Sequence, residues 1–211
     1  MFLPNVIADL ILVFLPEYEL LEWIDFESLS WPFLSKNPNS CDLLEQNKKK
    51  IDWNQLSLNP AAMHLLQENE HKINWNCLSQ NPAAIHMLEE NKDNIHWYSF
   101  SSNPAAIHIL EQNKERINWY SLSQNPAAIH LLEQNNDKIN RNQLSRNPAA
   151  MHLLQQNEHL IDWDWLSINT AAIEFLRENK HKIHWRLLQT NSSIFEKVQK
   201  INIKKIIQRT K

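Results

Sequence analysis

The chain has 211 residues, 43% of them apolar, with a formal net charge of −3 and a pI near 6.4. That balance excludes a general attraction to nucleic acid. The absence of glycine removes the residue on which phosphate-cradling loops and tight β-turns depend, and so argues against a nucleotide-binding enzyme.

Residues 1–28 follow a pattern of their own. Leu3, Val6, Ile7, Leu10, Ile11, Phe14 and Leu15 recur at helical spacing, which predicts an amphipathic helix ending near Pro16. A second short apolar segment follows, with Leu20, Leu21, Trp23 and Ile24. Together they read as an N-terminal helical cap over the open end of what comes next. The most apolar window, Val6 to Leu15, holds Asp9 between Pro4 and Pro16 and is too short to span a bilayer. Cys41 and Cys77 lie far apart at unlike places, which suits a reduced, soluble, intracellular protein.

From Leu29 onward a 22-residue sentence repeats without a gap. Units begin at Leu29, Ile51, Ile73, Ile95, Ile117, Ile139, Ile161 and Ile183, and eight copies in register define a tandem array over residues 29–204. Within a unit, position nine is always Asn, and position ten is Pro in the first six. Asn as N-cap with Pro as first helical residue starts a helix, because the side chain accepts an orphan N–H while Pro has none to lose. Ala-Ala, Ile or Met, His and Leu-Leu follow. Position nineteen is Asn in seven units, and the left-handed backbone that Asn tolerates would close a helix of nine or ten residues there. The other half of the unit holds Ile, a capping residue, Trp, and Leu or Phe at position six. Asp52, Asn74, Asn118, Asn140 and Asp162 can cap a short helix from Trp to the Ser at position seven.

Each unit is thus a small helix-turn-helix, too short to stand without its neighbours. The fold class is all-α, an α-solenoid of about eight such repeats with N- and C-terminal capping helices. A leucine-rich repeat has a similar period but needs an alternating Leu-x-Leu strand, whereas here Asn is followed by Pro-Ala-Ala.

Helical geometry sorts the second helix into faces. With position twelve at zero, positions thirteen, fifteen and sixteen complete one apolar arc, and fourteen falls near 200°, opposite it. His64, His86, His108, His130 and His152 therefore form an exposed row. Stacked repeats set equivalent residues roughly 10 Å apart, too far for one metal ion, so no metal or other cofactor is expected. The position-three tryptophans form a second row, either core or partner-binding. Arg141 interrupts it, as a weak point or as a contact surface.

Positions four, five and eight vary between units. An array that keeps its framework and varies one face presents that face to partners. The short first helices are therefore the expected recognition surface for a protein partner, with Tyr98, Tyr120, Arg141, Arg146 and Trp165 as candidate anchors. Trp165 and Ile168 have a rival explanation in packing against the C-terminal end. No clustered acids, metal-spaced Cys/His set or activated nucleophile stands out, so no catalytic residue is assigned. After Asn191, Ser192-Ser193 replace Pro-Ala, and a basic helix is expected from Ser192 to about Arg209, with residues 205–211 as a basic end.

Two resemblances follow from these motifs. The unit Leu-Ser-x-Asn-Pro-Ala-Ala-Ile-His-Leu-Leu-Glu-x-Asn-x-x-x-Ile-x-Trp, with the lead-in Leu20-Leu21-Glu22-Trp23-Ile24-Asp25, resembles short tandem repeats of giant, nucleocytoplasmic large DNA virus proteins over about residues 20–190. It implies a virus-encoded protein in the host cytoplasm or the virion, and no activity. Arg141, Thr170 and Ser192 depart from the pattern. The opening Leu3-Pro4, Val6-Ile7, Leu10-Ile11, Phe14-Leu15-Pro16 and Leu20-Leu21 resembles about half of an F-box, which implies a ubiquitin-ligase adaptor as the alternative to a non-enzymatic scaffold.

Overall fold

The computed structural model describes residues 18–195. The expected N-terminal helix, most of the F-box-like segment and the basic C-terminal end lie outside the described residues. Within them the chain is all-α, with no strand, and divides between Ala128 and Ile129 into two compact units. Both are built from the same repeat, and the architecture is an α-solenoid.

Every unit opens with a helix of one turn or little more. Trp53–Leu56, Trp75–Gln80, Trp97–Ser101 and Trp119–Ser123 fill the first compact unit after Trp31–Lys36, and Arg141–Arg146, Trp163–Leu166 and Trp185–Leu188 fill the second. The capping residue at position two does what its chemistry allows. Asp52 accepts from the Gln55 amide at 3.0 Å, Asn74 from Cys77 at 3.0 Å and Asn118 from Ser121 at 2.9 Å. His96 and His184 take the same place, each accepting through Nδ1 from the amide three residues on, at 3.4 and 3.2 Å. First helices of successive repeats lie side by side, as Trp31–Lys36 does on Trp53–Leu56 and Arg141–Arg146 on Trp163–Leu166.

The second half of the unit departs from the expected single helix. A 3₁₀ turn, as in Pro82–Ala84, is followed by a separate α-helix, as in Ile85–Glu90. The amide of Ala84 bonds the Asn81 carbonyl three residues back, and Ala84 sits at φ −89°, ψ 5°. That tighter turn breaks the α-helical ladder before it restarts. The apolar arc is as expected. Ala62, Ala84, Ala106, Ala150 and Ala172 are fully buried, the residues at fifteen and sixteen are almost all buried, and position thirteen is half-buried. The histidines at fourteen are exposed.

Helix closure at position nineteen is also a correction. No described residue has positive φ. Asn91 sits at φ −121°, ψ 49°, and its Nδ2 donates to the Met87 carbonyl at 2.9 Å. The same side-chain bond, 2.8–3.0 Å long, recurs at Asn47, Asn69, Asn113, Asn135, Asn157 and Asn179. The Asn side chain adds a donor to the carbonyl four residues back, which at Asn91 and Asn179 also accepts the residue's own amide, and a left-handed residue is not needed. Described residues that never visit positive φ have no need of glycine.

At the C-terminal end, Ser192–Ile194 is a 3₁₀ turn and Phe195 is extended at φ −111°, ψ 133°. The helix expected to run on from Ser192 therefore does not start there: the position that is αR at Ile85 and Ile107 is β at Phe195.

Candidate functional site

Two buried polar side chains per repeat hold the array together. Asn at position nine caps its own turn, as Asn103 does by accepting from the Ala105 amide at 3.0 Å. Its Nδ2 then donates to two carbonyls of the preceding repeat, here Ser79 and Asn81, both at 3.1 Å. Asn59, Asn81 and Asn125 repeat this in the first compact unit, and Asn169 and Asn191 in the second, at 2.9–3.1 Å. These amides are essentially inaccessible to water. Ser at position seven is the second connector. Ser101 donates to the Trp97 carbonyl at 2.8 Å and accepts from the Asn118 amide of the next repeat at 2.9 Å. Ser35, Ser57, Ser79 and Ser167 make the same pair of bonds. Sequence reasoning assigned position nine to capping alone and gave position seven no work. The recurrence of Asn in all eight units and of Ser in the first seven is visible in the sequence, but their partners are 17, 22 and 24 residues away.

The tryptophans are half-buried rather than core, except Trp185, which is 61% exposed. The rings of Trp31, Trp53, Trp97 and Trp163 carry cations from position 22 of the same repeat, whereas the repeat of Trp75 has Asn94 there. Lys72 lies 4.4 Å from the Trp53 ring, Arg116 5.2 Å from Trp97, and Lys182 4.4 Å from Trp163. In the repeat 139–160 both partners are exchanged together, Arg141 for Trp and the buried Leu160 for the cation. A cation against Arg141 would be repelled, and the apolar Leu160 avoids that.

The five candidate anchors fall into two pairs and one single residue. Tyr98 and Tyr120, about half exposed, stack with ring centroids 6.3 Å apart at 20°. Arg146 places its guanidinium 4.7 Å from the half-buried Trp165 ring of the next repeat. Arg141 is exposed on the same helix as Arg146. Position four is exposed in every repeat, but position five is not. Ser99, Ser121 and Gln143 are buried and Gln55, Cys77 and Trp165 half-buried. Position five faces the neighbouring first helix, so the variable surface narrows to positions four and eight.

The exposed histidines pair locally. His64 Nε2 lies 3.0 Å from Glu45, His108 Nε2 3.0 Å from Glu89, and His86 Nδ1 3.5 Å from Glu90. Among the described residues no three His, Cys, Asp or Glu side chains converge to hold a metal ion. Cys41 and Cys77 are unpaired thiols, both held above the usual thiol range, chiefly by burial and then by Asp42 and Asp52 respectively. Shallow hollows of about 190 and 250 Å³ lie at the ends of the described array, around Tyr18, Leu20 and Leu43 and around Ile173, Trp185 and Ile194. No described helix is long and apolar enough to cross a membrane.

These features define an all-α tandem-repeat array with a recurrent buried polar frame and a variable exposed strip. A family model described as periplasmic copper-binding protein (NosD) matches residues 25–204. The chain belongs to that family. No curated protein and no solved structure matches the chain.

Proposed function

We propose that the protein is a non-enzymatic repeat scaffold that binds another protein along the outer strip formed by positions four and eight. One observation carries this reading. The most constant polar residues, Ser at position seven in the first seven units and Asn at position nine from Asn59 to Asn191, are buried, and nearly all are seen bonded between repeats, while those that vary, such as Asn76, Tyr98 and Arg186, are exposed. Architecture consumes the constant part, which leaves the variable part for recognition. The virus-encoded origin carried by the repeat motif belongs to this proposal.

The family's description names copper, and the donors here do not fit it. Copper(I) takes clustered thiolates and thioethers, and copper(II) takes several imidazoles in one plane. The Cys41 thiol leans on the Pro38 carbonyl, Met63 and Met151 receive amide N–H groups from Asn81 and Asn169, and the imidazoles stand in exposed pairs with carboxylates. Two unpaired cysteines also suit a reducing compartment better than the periplasm that the description prints.

Proximity labelling with the full chain in its producing cell tests the scaffold. Specific partners should be enriched by the parent protein and lost on replacing Tyr98 and Arg146 together by Ala. Equal labelling by parent and variant, or no enrichment over an unrelated repeat protein, would sink it.

A further inference from the structure

Resting on that scaffold reading, the geometry points to the Tyr98–Tyr120 strip as a docking site for an extended, uncharged peptide segment. Asn76, Gln80, Tyr98, Ser102, Tyr120 and Gln124 occupy positions four and eight of three successive repeats, and none carries a charge at neutral pH. All but the half-buried Ser102 are exposed. Charged side chains crowd the loops elsewhere, so a strip without one has nothing to neutralise an acidic or basic ligand and suits a neutral one. Side-chain amides both donate and accept, which matches the alternating N–H and C=O groups of a peptide backbone.

Spacing selects the conformation. The two tyrosine centroids are 6.3 Å apart, close to the roughly 6.5 Å that two residues of an extended chain advance. Alternate side chains of such a segment lie on one face, so two of them meet the two rings in register.

The fold bears a cost at this place. In the repeat before, the hydroxyl of Ser99 donates to Asn76 Oδ1 and also meets His96 Nδ1 and Gln80 Nε2. Ser121 is its counterpart, and there Tyr98 stands where Asn76 stood. The Ser121 hydroxyl is fully buried with no hydrogen-bond partner, alone in this among the described residues. The Tyr98–Tyr120 stack offsets part of that loss, and a surface role for the rings accounts for the rest.

Random short peptides displayed on phage and panned against the full chain provide the test. Enriched sequences should be depleted in Asp, Glu, Lys and Arg. Synthesised and titrated by calorimetry, they should bind Tyr98→Asn and Tyr120→Ala about tenfold or more weakly, and Tyr98→Phe within about twofold of the parent, since the ring face is kept. Tyr98→Asn should also melt higher by about 2–4 °C, because it restores the acceptor for Ser121; a packing role for Tyr98 predicts a lower melting temperature instead. Charged consensus sequences, a lower melting point for Tyr98→Asn, or enrichment of no peptide would overturn the inference. So would tighter binding of chitotetraose than of any peptide at these tyrosines. Peptides that bind parent and tyrosine variants alike would overturn this strip while leaving the scaffold reading intact, which fails separately on the labelling result.

Discussion

Asn103 Nδ2 lies 3.1 Å from the carbonyl oxygen of Asn81, its own counterpart one repeat earlier. Each such amide is both a cap for its own turn and the donor that closes the preceding one. Asn103→Ala removes the cap, worth about 1 kcal/mol, and leaves two buried carbonyls short of a donor. A loss of about 2–4 kcal/mol is expected by urea denaturation. Asn103→Asp keeps the cap oxygen but turns a second oxygen toward the Ser79 and Asn81 carbonyls, so it should be the worse of the two. A milder effect of Asp than of Ala would show that capping dominates.

Glycine after a helix is ordinarily favourable, and here it should not be. Asn113 ends its helix at φ −130° with Nδ2 on the Ile109 carbonyl at 2.8 Å. Asn113→Gly loses that bond and adds backbone freedom to the unfolded chain, so it should cost about 1–2 kcal/mol. Equal or greater stability, read by thermal melting, would mean that the left-handed closure is accessible after all.

The paired exchange at Arg141 and Leu160 predicts a coupling. Arg141→Trp alone should raise the melting temperature by restoring apolar cover. Leu160→Lys alone should lower it, because it sets a second cation near Arg141. Both together should be more stable than the sum by about 0.5–1 kcal/mol, the worth of a cation over a tryptophan face. A double-mutant cycle with no interaction term would remove the link between the two positions.

Burial, with Asp42 or Asp52 nearby, makes the two native thiols hold their protons more tightly than unfolded ones. Their contribution to stability is therefore complete below the unfolded thiol range, about 8.5, and is lost as pH rises from there through the raised native range, since the unfolded chain ionises first. Alkylation of the native protein by iodoacetamide near neutral pH should be slower at both cysteines than after denaturation in urea, with the two rates converging at high pH. Faster native alkylation at Cys41 would contradict its half-buried setting.

Much of this fold was legible in single repeats. The spacing of Ala106, Ile109 and Leu110 named the buried arc, Asn118 and Asp162 named the helix starts, and His108 fell on the exposed side. What one repeat could not disclose was anything whose partner lay in another. Ser101 looked like a helix-terminal serine because its acceptor duty is to Asn118, 17 residues on. Position five looked variable, hence exposed, until the neighbouring helix was placed against Ser121. Among the candidate anchors, composition picked out Tyr98, Tyr120, Arg146 and Trp165, but only the fold pairs them. His96 and His184 were missed as caps because imidazole is a rarer acceptor than Asn or Asp at that position.

The connecting bonds also limit how such a chain can change in length. The buried Asn and Ser ties between repeats span a fixed 17, 22 or 24 residues and recur from unit to unit. Inserting or deleting one whole 22-residue unit inside an array recreates every tie on either side. A shift of any other size misaligns the Asn and Ser connectors at once and strands buried carbonyls at that junction. The array is therefore rigid toward single-residue indels and permissive toward duplication, so its reach can grow in steps while the outer strip of each new unit is free to diverge.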